Sequence, residues 1–312
     1  MSNILIIKHG SLGDIVQISG VLRDIRETFV DKKIFILTTF PYVELLSKCP
    51  YLDGVLIDKR LPRWNILYHL RLSKMINKMN FDIVFDLQNS SRTSFYRKYL
   101  FKTTEWSSSQ TTLKRGQSKK DFDNYSVLRR FEMQLEYSKV KTKYCLKPDF
   151  SWAATNVNKI INKYFGKKFI LLFPFCSPDL SHKKWPYFNE LIQIIKSNHA
   201  NLEIAIAPSS NEMKLADSIK AVKITNNQNQ LNIMELTGLI MRSSYVIAND
   251  TGPAHIAAHV DKEGVVLFGH HTTPEKVSIE TNRFRAITVD DLKKLKPNDV
   301  YLKIKDKIES IN

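Results

Sequence analysis

Asn249-Asp250-Thr251-Gly252-Pro253-Ala254-His255 places an acid, a hydroxyl, a glycine and a helix-starting proline between two contrasting stretches. Residues 245–248 are apolar and predict a buried strand, whereas the residues after Pro253 are small and alanine-rich and predict a helix. A strand ending there and a helix starting at the proline leave backbone N–H groups beside one carboxylate. That combination suits an anionic, hydroxyl-rich ligand. The first half has a counterpart in Gly10-Ser11-Leu12-Gly13-Asp14, a glycine loop that closes on an acid directly after the apolar run 4–8. A carboxylate at Asp14 can serve as general base toward a sugar hydroxyl. It can equally act as the N-cap of a helix beginning at Ile15, a position Asp favours.

Further candidates follow other strands. Ser177-Pro178-Asp179-Leu180-Ser181-His182-Lys183-Lys184-Trp185-Pro186 comes after the apolar run 169–173, and a lysine beside such a loop can neutralise a diphosphate. The plainer alternative makes Lys183 and Lys184 surface charges and Trp185 a packing residue. Glu212, after Pro208-Ser209-Ser210-Asn211, can accept hydrogen bonds from ribose hydroxyls, or can be a first-turn acid favoured by the helix dipole. The Gly10 loop is neither a GxGxxG dinucleotide fingerprint nor a phosphate loop ending in Lys-Ser/Thr. His255 and His259 are four apart, with His270-His271 beyond, but the HExxH spacing is missing because Ile256 follows His255, and no CxxC occurs. No bound metal and no cofactor is expected.

These loops need strands and helices to hold them. Short apolar runs at 4–8, 34–37, 55–57 and 83–85 alternate with helical periodicity at 15–28 and 64–79, which predicts parallel strands with crossover helices. The polar stretch 102–120 reads as a mobile loop, followed by a helix over 123–137. The pattern restarts with strands at 169–173, 203–207, 245–248 and 264–268 and helices at 185–197, 211–221 and 232–242. An amphipathic, lysine-rich helix over 299–311 ends the chain. With 312 residues, two α/β domains are expected, joined near 147–156 where Pro148 interrupts regular structure. Two similar halves facing each other imply a cleft, with ligands at the carboxyl ends of the strands.

Composition sets limits. A hydrophobic content of 43% supports folded cores, and no apolar run reaches the roughly 18 residues that span a bilayer, so a cytoplasmic protein is expected. Cys49, Cys145 and Cys176 are odd in number and far apart, as reduced thiols would be. The formal net charge of +16 is concentrated between Arg92 and Lys147, where 14 Lys/Arg stand against 5 Asp/Glu. Such a segment is either a solvated basic face or an attraction for membrane headgroups, a phosphorylated glycolipid or nucleic acid. Its aromatic residues Phe95, Tyr96, Tyr99, Phe101 and Trp106 accompany no recognised nucleic-acid motif.

Taken in order, these segments resemble the ADP-heptose:lipopolysaccharide heptosyltransferases of glycosyltransferase family 9. The resemblance runs from Ile4 to about Phe268 through Ile4-Leu5-Ile6-Ile7-Lys8 with the Gly10 loop, then Phe81-Asp82-Ile83-Val84-Phe85-Asp86-Leu87-Gln88 and Lys183-Lys184-Trp185-Pro186. It ends with Asn249–His255 and Leu267-Phe268-Gly269. It implies an α/β protein of the GT-B type: two facing Rossmann-like domains with parallel sheets and an inter-domain cleft. Residues 1–150 would bind the acceptor and 151–312 the nucleotide sugar, with the last helix packing back on the first domain. It further implies inverting, metal-independent transfer with Asp14 as base. The donor would lie on Ser177, Lys183, Glu212, Asp250, Thr251, Gly252 and His255, and acceptor phosphates on Lys59, Arg60 and Arg63. Expected partners are a nucleotide-sugar donor (ADP-heptose), an anionic glycolipid acceptor and the inner-membrane surface in peripheral contact, with no nucleic acid. Two readings outside this one are a non-catalytic nucleic-acid-binding or regulatory protein on the same fold and a sugar-nucleotide epimerase. The chain departs from the family pattern in a longer insertion after Ser177-Pro178 and in His270-His271 after Gly269, where Pro-Thr is usual.

Overall fold

The computed structural model describes residues 3–102, 105–166 and 168–311. It divides into two compact units, Met1–Trp152 and Ala153–Asn312.

The first unit is built on strands β1 (Asn3–Ile7), β2 (Lys33–Thr38), β3 (Gly54–Ile57), β4 (Phe81–Asp86) and β5 (Glu105–Ser107). All pairs are parallel, in the order β3-β2-β1-β4-β5. Its longer helices are α1 (Leu12–Gln17), α2 (Ser19–Thr28), α3 (Ile66–Lys78), α4 (Ser91–Tyr99) and α5 (Val127–Tyr137). Central β1 is apolar from Ile4 to Ile7 because both of its faces are covered. The chain goes outward from β1 to β3, then returns to β4 on the other side, so the strand order reverses between β1 and β4. A crevice opens at the carboxyl ends of the strands at such a reversal.

Two details of this unit differ from the sequence reading. The helix expected over 15–28 is two helices, α1 and α2, meeting at Ile18. Gly20 of α2 lies so close to the segment 143–145 that an added Cβ would sit 2.2 Å from the Tyr144 carbonyl oxygen. The buried Asp24 carboxylate accepts the N–H groups of Lys143, Tyr144 and Cys145, which fastens that segment to α2. The stretch 102–120, expected to be mobile, contains β5 along β4 and a turn of helix, Ser109–Thr112, capped by Ser108. A single buried tryptophan, Trp106, holds β5 in the core, too little apolar signal for a strand to show in the sequence.

The second unit contains β6 (Phe169–Phe173), β7 (Glu203–Ile206), β8 (Val222–Lys223), β9 (Tyr245–Asn249), β10 (Gly264–Phe268) and β11 (Phe284–Thr288). Its order is β11-β10-β9-β6-β7-β8, again all parallel, with the reversal between β6 and β9. The longer helices are α6 (Phe188–Asn198), α7 (Ile233–Arg242), α8 (Gly252–His259) and α9 (Pro297–Glu309). The apolar face of α9, with Val300, Ile304 and Ile308, is spent in this unit's own core beside α6. The helix expected over 211–221 is short, Met213–Ala216, and gives way to turns before β8.

Candidate functional site

Both units place a lysine–aspartate pair at the strand-order reversal. In the first, Lys8 follows β1 and is buried. Its Nζ donates to the Leu87 carbonyl (3.2 Å), just past β4, and to Asp14 Oδ1 (3.1 Å). Asp14 stands in the first turn of α1, whose N-cap is Ser11. Its Oδ2 accepts the Ser11 N–H (2.7 Å) and hydroxyl (2.9 Å), a capping box. The acid therefore supports the helix start, but from inside α1 and not as the cap of a helix beginning at Ile15. Gly10 has φ 122°, and a Cβ there would lie 2.6 Å from Tyr42 Cε2, so the turn admits only glycine. The Asp14 side chain remains 39% exposed and Lys8 only 5%. Burial alone would raise the Asp14 carboxyl; the Lys8 ammonium and the Ser11 donors outweigh it and hold it below the ordinary range.

The same strand ends carry a buried polar cluster. His9 Nε2 is 2.9 Å from Asp58 Oδ2, and Asp58 also accepts the hydroxyls of Tyr68 (2.5 Å) and Tyr96 (2.7 Å). Burial opposes the Asp58 charge, and these donors overcome it, driving its pKa far down. The Arg60 N–H donates to Asp58 and the Lys59 N–H to the Tyr68 hydroxyl, so the loop bearing the expected acceptor cations is pinned by this cluster. Lys59, Arg60 and Arg63 are exposed; Arg63 donates to Ser91 Oγ (3.0 Å) and lies over the Phe95 ring. Ser91 opens a cavity of about 450 Å³ lined with hydroxyls and amides (Asn89, Ser90, Ser94, Ser108), with Arg97, Lys119 and Asp86 in its walls. Burial raises Asp86 to about 6 despite the N–H groups of Gln88 and Asn89. This cavity was not foreseen, because its serines come from two capping turns that are distant in the chain.

In the second unit the short 3₁₀ segment Pro178–Lys183 follows β6. Lys183 Nζ donates to Asp250 Oδ2 (2.6 Å), just past β9. Here exposure is reversed: Asp250 is 3% exposed and Lys183 20%. The His271 ring, stacked on Phe268, reaches the same Oδ2 (2.9 Å), and His255 Nε2 is 3.9 Å from Oδ1. Burial would raise Asp250, but the bonds from Lys183 and His271 keep it below the carboxylate range. Burial lowers His271 despite that bond; Nε2–H is the donor, because a carboxylate only accepts. His259 behind His255 is lowered to about 3 by burial and by its neighbour. Asn249 positions both loops: it donates to the Pro174 carbonyl (2.9 Å) and accepts the Trp185 N–H (3.1 Å). The fully buried Trp185 anchors the far end of the Lys183 loop through Nε1–H to the Leu295 carbonyl (2.9 Å).

Thr251 precedes α8 in extended conformation, and its hydroxyl donates to the Asn249 carbonyl (3.2 Å) instead of capping the helix. The N-terminus of α8 thus has no side-chain cap of its own beside Gly252 and the Lys183–Asp250 pair, an arrangement suited to an anion. Of the expected donor residues, Lys183, Asp250, Thr251, Gly252 and His255 come together here. Ser177 is exposed at the start of the same loop. Glu212 follows β7, where it accepts the Ser209 N–H (2.8 Å) in a capping box. Sequence reasoning missed Lys8 and His271 as partners of the two acids, and Asn249 as the residue that ties the Lys183 loop to the end of β9. Lys8 and Asn249 are polar residues at the ends of apolar strands, a signal that was present. Among the described residues no cluster of three or more His, Cys, Asp or Glu side chains could hold a metal.

The chain is similar to known proteins over most of its length. Residues 69–304 match the model of glycosyltransferase family 9 (heptosyltransferase). The lipopolysaccharide core heptosyltransferase OpsX of Haemophilus influenzae is 23% identical over 286 residues, covering 86% of this chain and 79% of that protein. Among solved structures, E. coli heptosyltransferase WaaC with ADP superposes with a TM-score of 0.73 at 16% identity, covering 98% of this chain and 99% of that one. A family 9 glycosyltransferase from Veillonella parvula superposes with a TM-score of 0.75 at 14% identity, covering 99% and 97%. The fold is GT-B. These matches do not favour the nucleic-acid-binding or epimerase readings.

Proposed function

The chain belongs to glycosyltransferase family 9 and is a glycosyltransferase; from that premise we propose that it transfers heptose from ADP-heptose, with inversion, to an anionic glycolipid acceptor of lipopolysaccharide core type. The reading rests on one observation above the others. The pair in the first unit presents its carboxylate to solvent, and the pair in the second presents its ammonium. Asp14 accepts the proton as the acceptor oxygen attacks the anomeric carbon. The bond from that carbon to the diphosphate breaks, and the diphosphate leaves with the electron pair. Lys183 and the N-terminus of α8 at Thr251 and Gly252 take up the departing charge, an electrostatic role that needs no metal. Asp250 and His271 hold Lys183 in place, Ser177 and His255 border the diphosphate, and Glu212 receives the ribose. A single displacement of this kind inverts the anomeric centre.

The cavity at Ser91 and the cations Lys59, Arg60 and Arg63 receive the acceptor's sugar hydroxyls and phosphates. ADP as the nucleotide is supported by the solved relative that holds it, and a lipid-linked acceptor by relatives named for lipopolysaccharide core and lipooligosaccharide heptosyl transfer. Such an acceptor resides in a bilayer, which puts the protein in peripheral contact with the inner membrane from the cytoplasm. Among the described residues no helix is long and apolar enough to cross it. Thermal shift with ADP, UDP, GDP and their sugars tests the donor assignment. The ADP species should stabilise the protein, and Lys183→Ala should lose that response. Stabilisation by UDP or GDP sugars alone would refute ADP-heptose as donor.

A further inference from the structure

Helix α3 is apolar on two sides. Its inner side, with Leu72 and Ile76, is buried in the first unit's core. On the outer side and in the turn before it, Trp64, Ile66, Leu67 and Leu70 are 79%, 67%, 69% and 59% exposed. Single exposed apolar residues are ordinary, but four large ones within seven positions form a patch. At 3.6 residues per turn, Ile66, Leu67, Leu70, Arg71 and Lys74 share one side of the helix. From residue 59 to residue 81 the chain has six Lys/Arg and no Asp or Glu. Helix α9 shows the contrast: its exposed Leu302 has Lys303, Lys305, Asp306 and Glu309 as neighbours, the mixed charge of a solvated face.

We propose that the outer face of α3 docks on an anionic phospholipid bilayer. The helix lies in the headgroup plane with Trp64, Leu67 and Leu70 in the acyl boundary and Arg71 and Lys74 on lipid phosphates. The charge selects this occupant. A second copy would set cations against cations, which is unfavourable, whereas a negative bilayer satisfies both the cations and the apolar side chains. The face is also continuous with the hydroxyl-lined cavity. Arg63, next to Trp64, bonds Ser91 at its wall, so a headgroup held by α3 lies beside that opening.

Co-sedimentation of the full chain with vesicles of phosphatidylglycerol and phosphatidylcholine, against phosphatidylcholine alone, tests the proposal without any sugar donor or acceptor. It therefore succeeds or fails independently of the transfer reading. Binding to the anionic vesicles alone is expected, falling about tenfold or more in Leu67→Ser/Leu70→Ser at unchanged melting temperature. Arg71→Gln/Lys74→Gln should lower it about fivefold per charge, while Lys139→Gln/Lys141→Gln, an equal loss of charge elsewhere, leaves it intact. Lack of binding by the wild-type chain, or binding indifferent to the α3 substitutions, overturns the proposal. So does a wild-type dimer without vesicles that Leu67→Ser/Leu70→Ser dissociates, which would assign the face to a second copy.

Discussion

The lysine–aspartate pairs of the two units are made of the same residue types at equivalent points of two parallel sheets, yet each is the other turned inside out. In the first unit a buried lysine props an accessible carboxylate; in the second a buried aspartate props an accessible lysine. Both acids are held ionised, so the difference does not lie in charge state. It lies in which member meets the ligand. A carboxylate aimed outward can receive a proton, and an ammonium aimed outward can receive a phosphate oxygen. The buried partner orients the working group and keeps it charged.

The sharpest way to break the comparison is to neutralise each outward member. Asp14→Asn should cost on the order of 10²–10⁴-fold in transfer with donor affinity unchanged, measured by steady-state rates and calorimetry. Lys183→Ala should cost on the order of 2–4 kcal/mol in transition-state stabilisation and weaken donor binding as well. If both variants weaken donor binding, or neither does, the two pairs do not have different tasks.

The buried members should report on folding more than on ligands. Asp250→Ala takes the acceptor from Lys183 and His271 and should lower stability by about 3 kcal/mol, read from denaturant midpoints. Because Asp250 is held below its unfolded value, its contribution is complete above about pH 4 and is lost as pH falls through the lower folded value. Asp86 supplies the contrast, a buried acid with no lysine or arginine bonded to it among the described residues. Its value of about 6 is above the unfolded one, so its contribution is complete below about pH 4 and is lost as pH rises through 6. Asp86→Asn should therefore be near neutral below about pH 4, more stable than the parent at pH 7, and flatten the pH profile between those values. A steeper profile would show that Asp86 is not a buried acid of this kind.

The two loops could be read from the sequence because each follows an apolar parallel strand, where such sheets place ligands. Asp14, Lys183 and Asp250 were recognisable on those grounds. That Lys183 and Asp250 pair with each other was not, since neighbouring strands in a parallel sheet come from distant parts of the chain and the two are 67 residues apart. Which member of a pair is buried depends on packing that no local pattern records. Strands β5, β8 and β11 escaped notice because they are edge strands with no more than two buried side chains each. The amphipathic character of α3 was visible, but the exposure of its second apolar side was not.

The measurement that bears most directly on the division of labour is a single-turnover experiment with saturating ADP-heptose on Asp14→Asn and Lys183→Ala side by side. The account predicts that Asp14→Asn still captures the donor at wild-type affinity and then fails to transfer, while Lys183→Ala fails at capture and transfer together. Normal transfer by Asp14→Asn, or undisturbed donor affinity and turnover in Lys183→Ala, would contradict it.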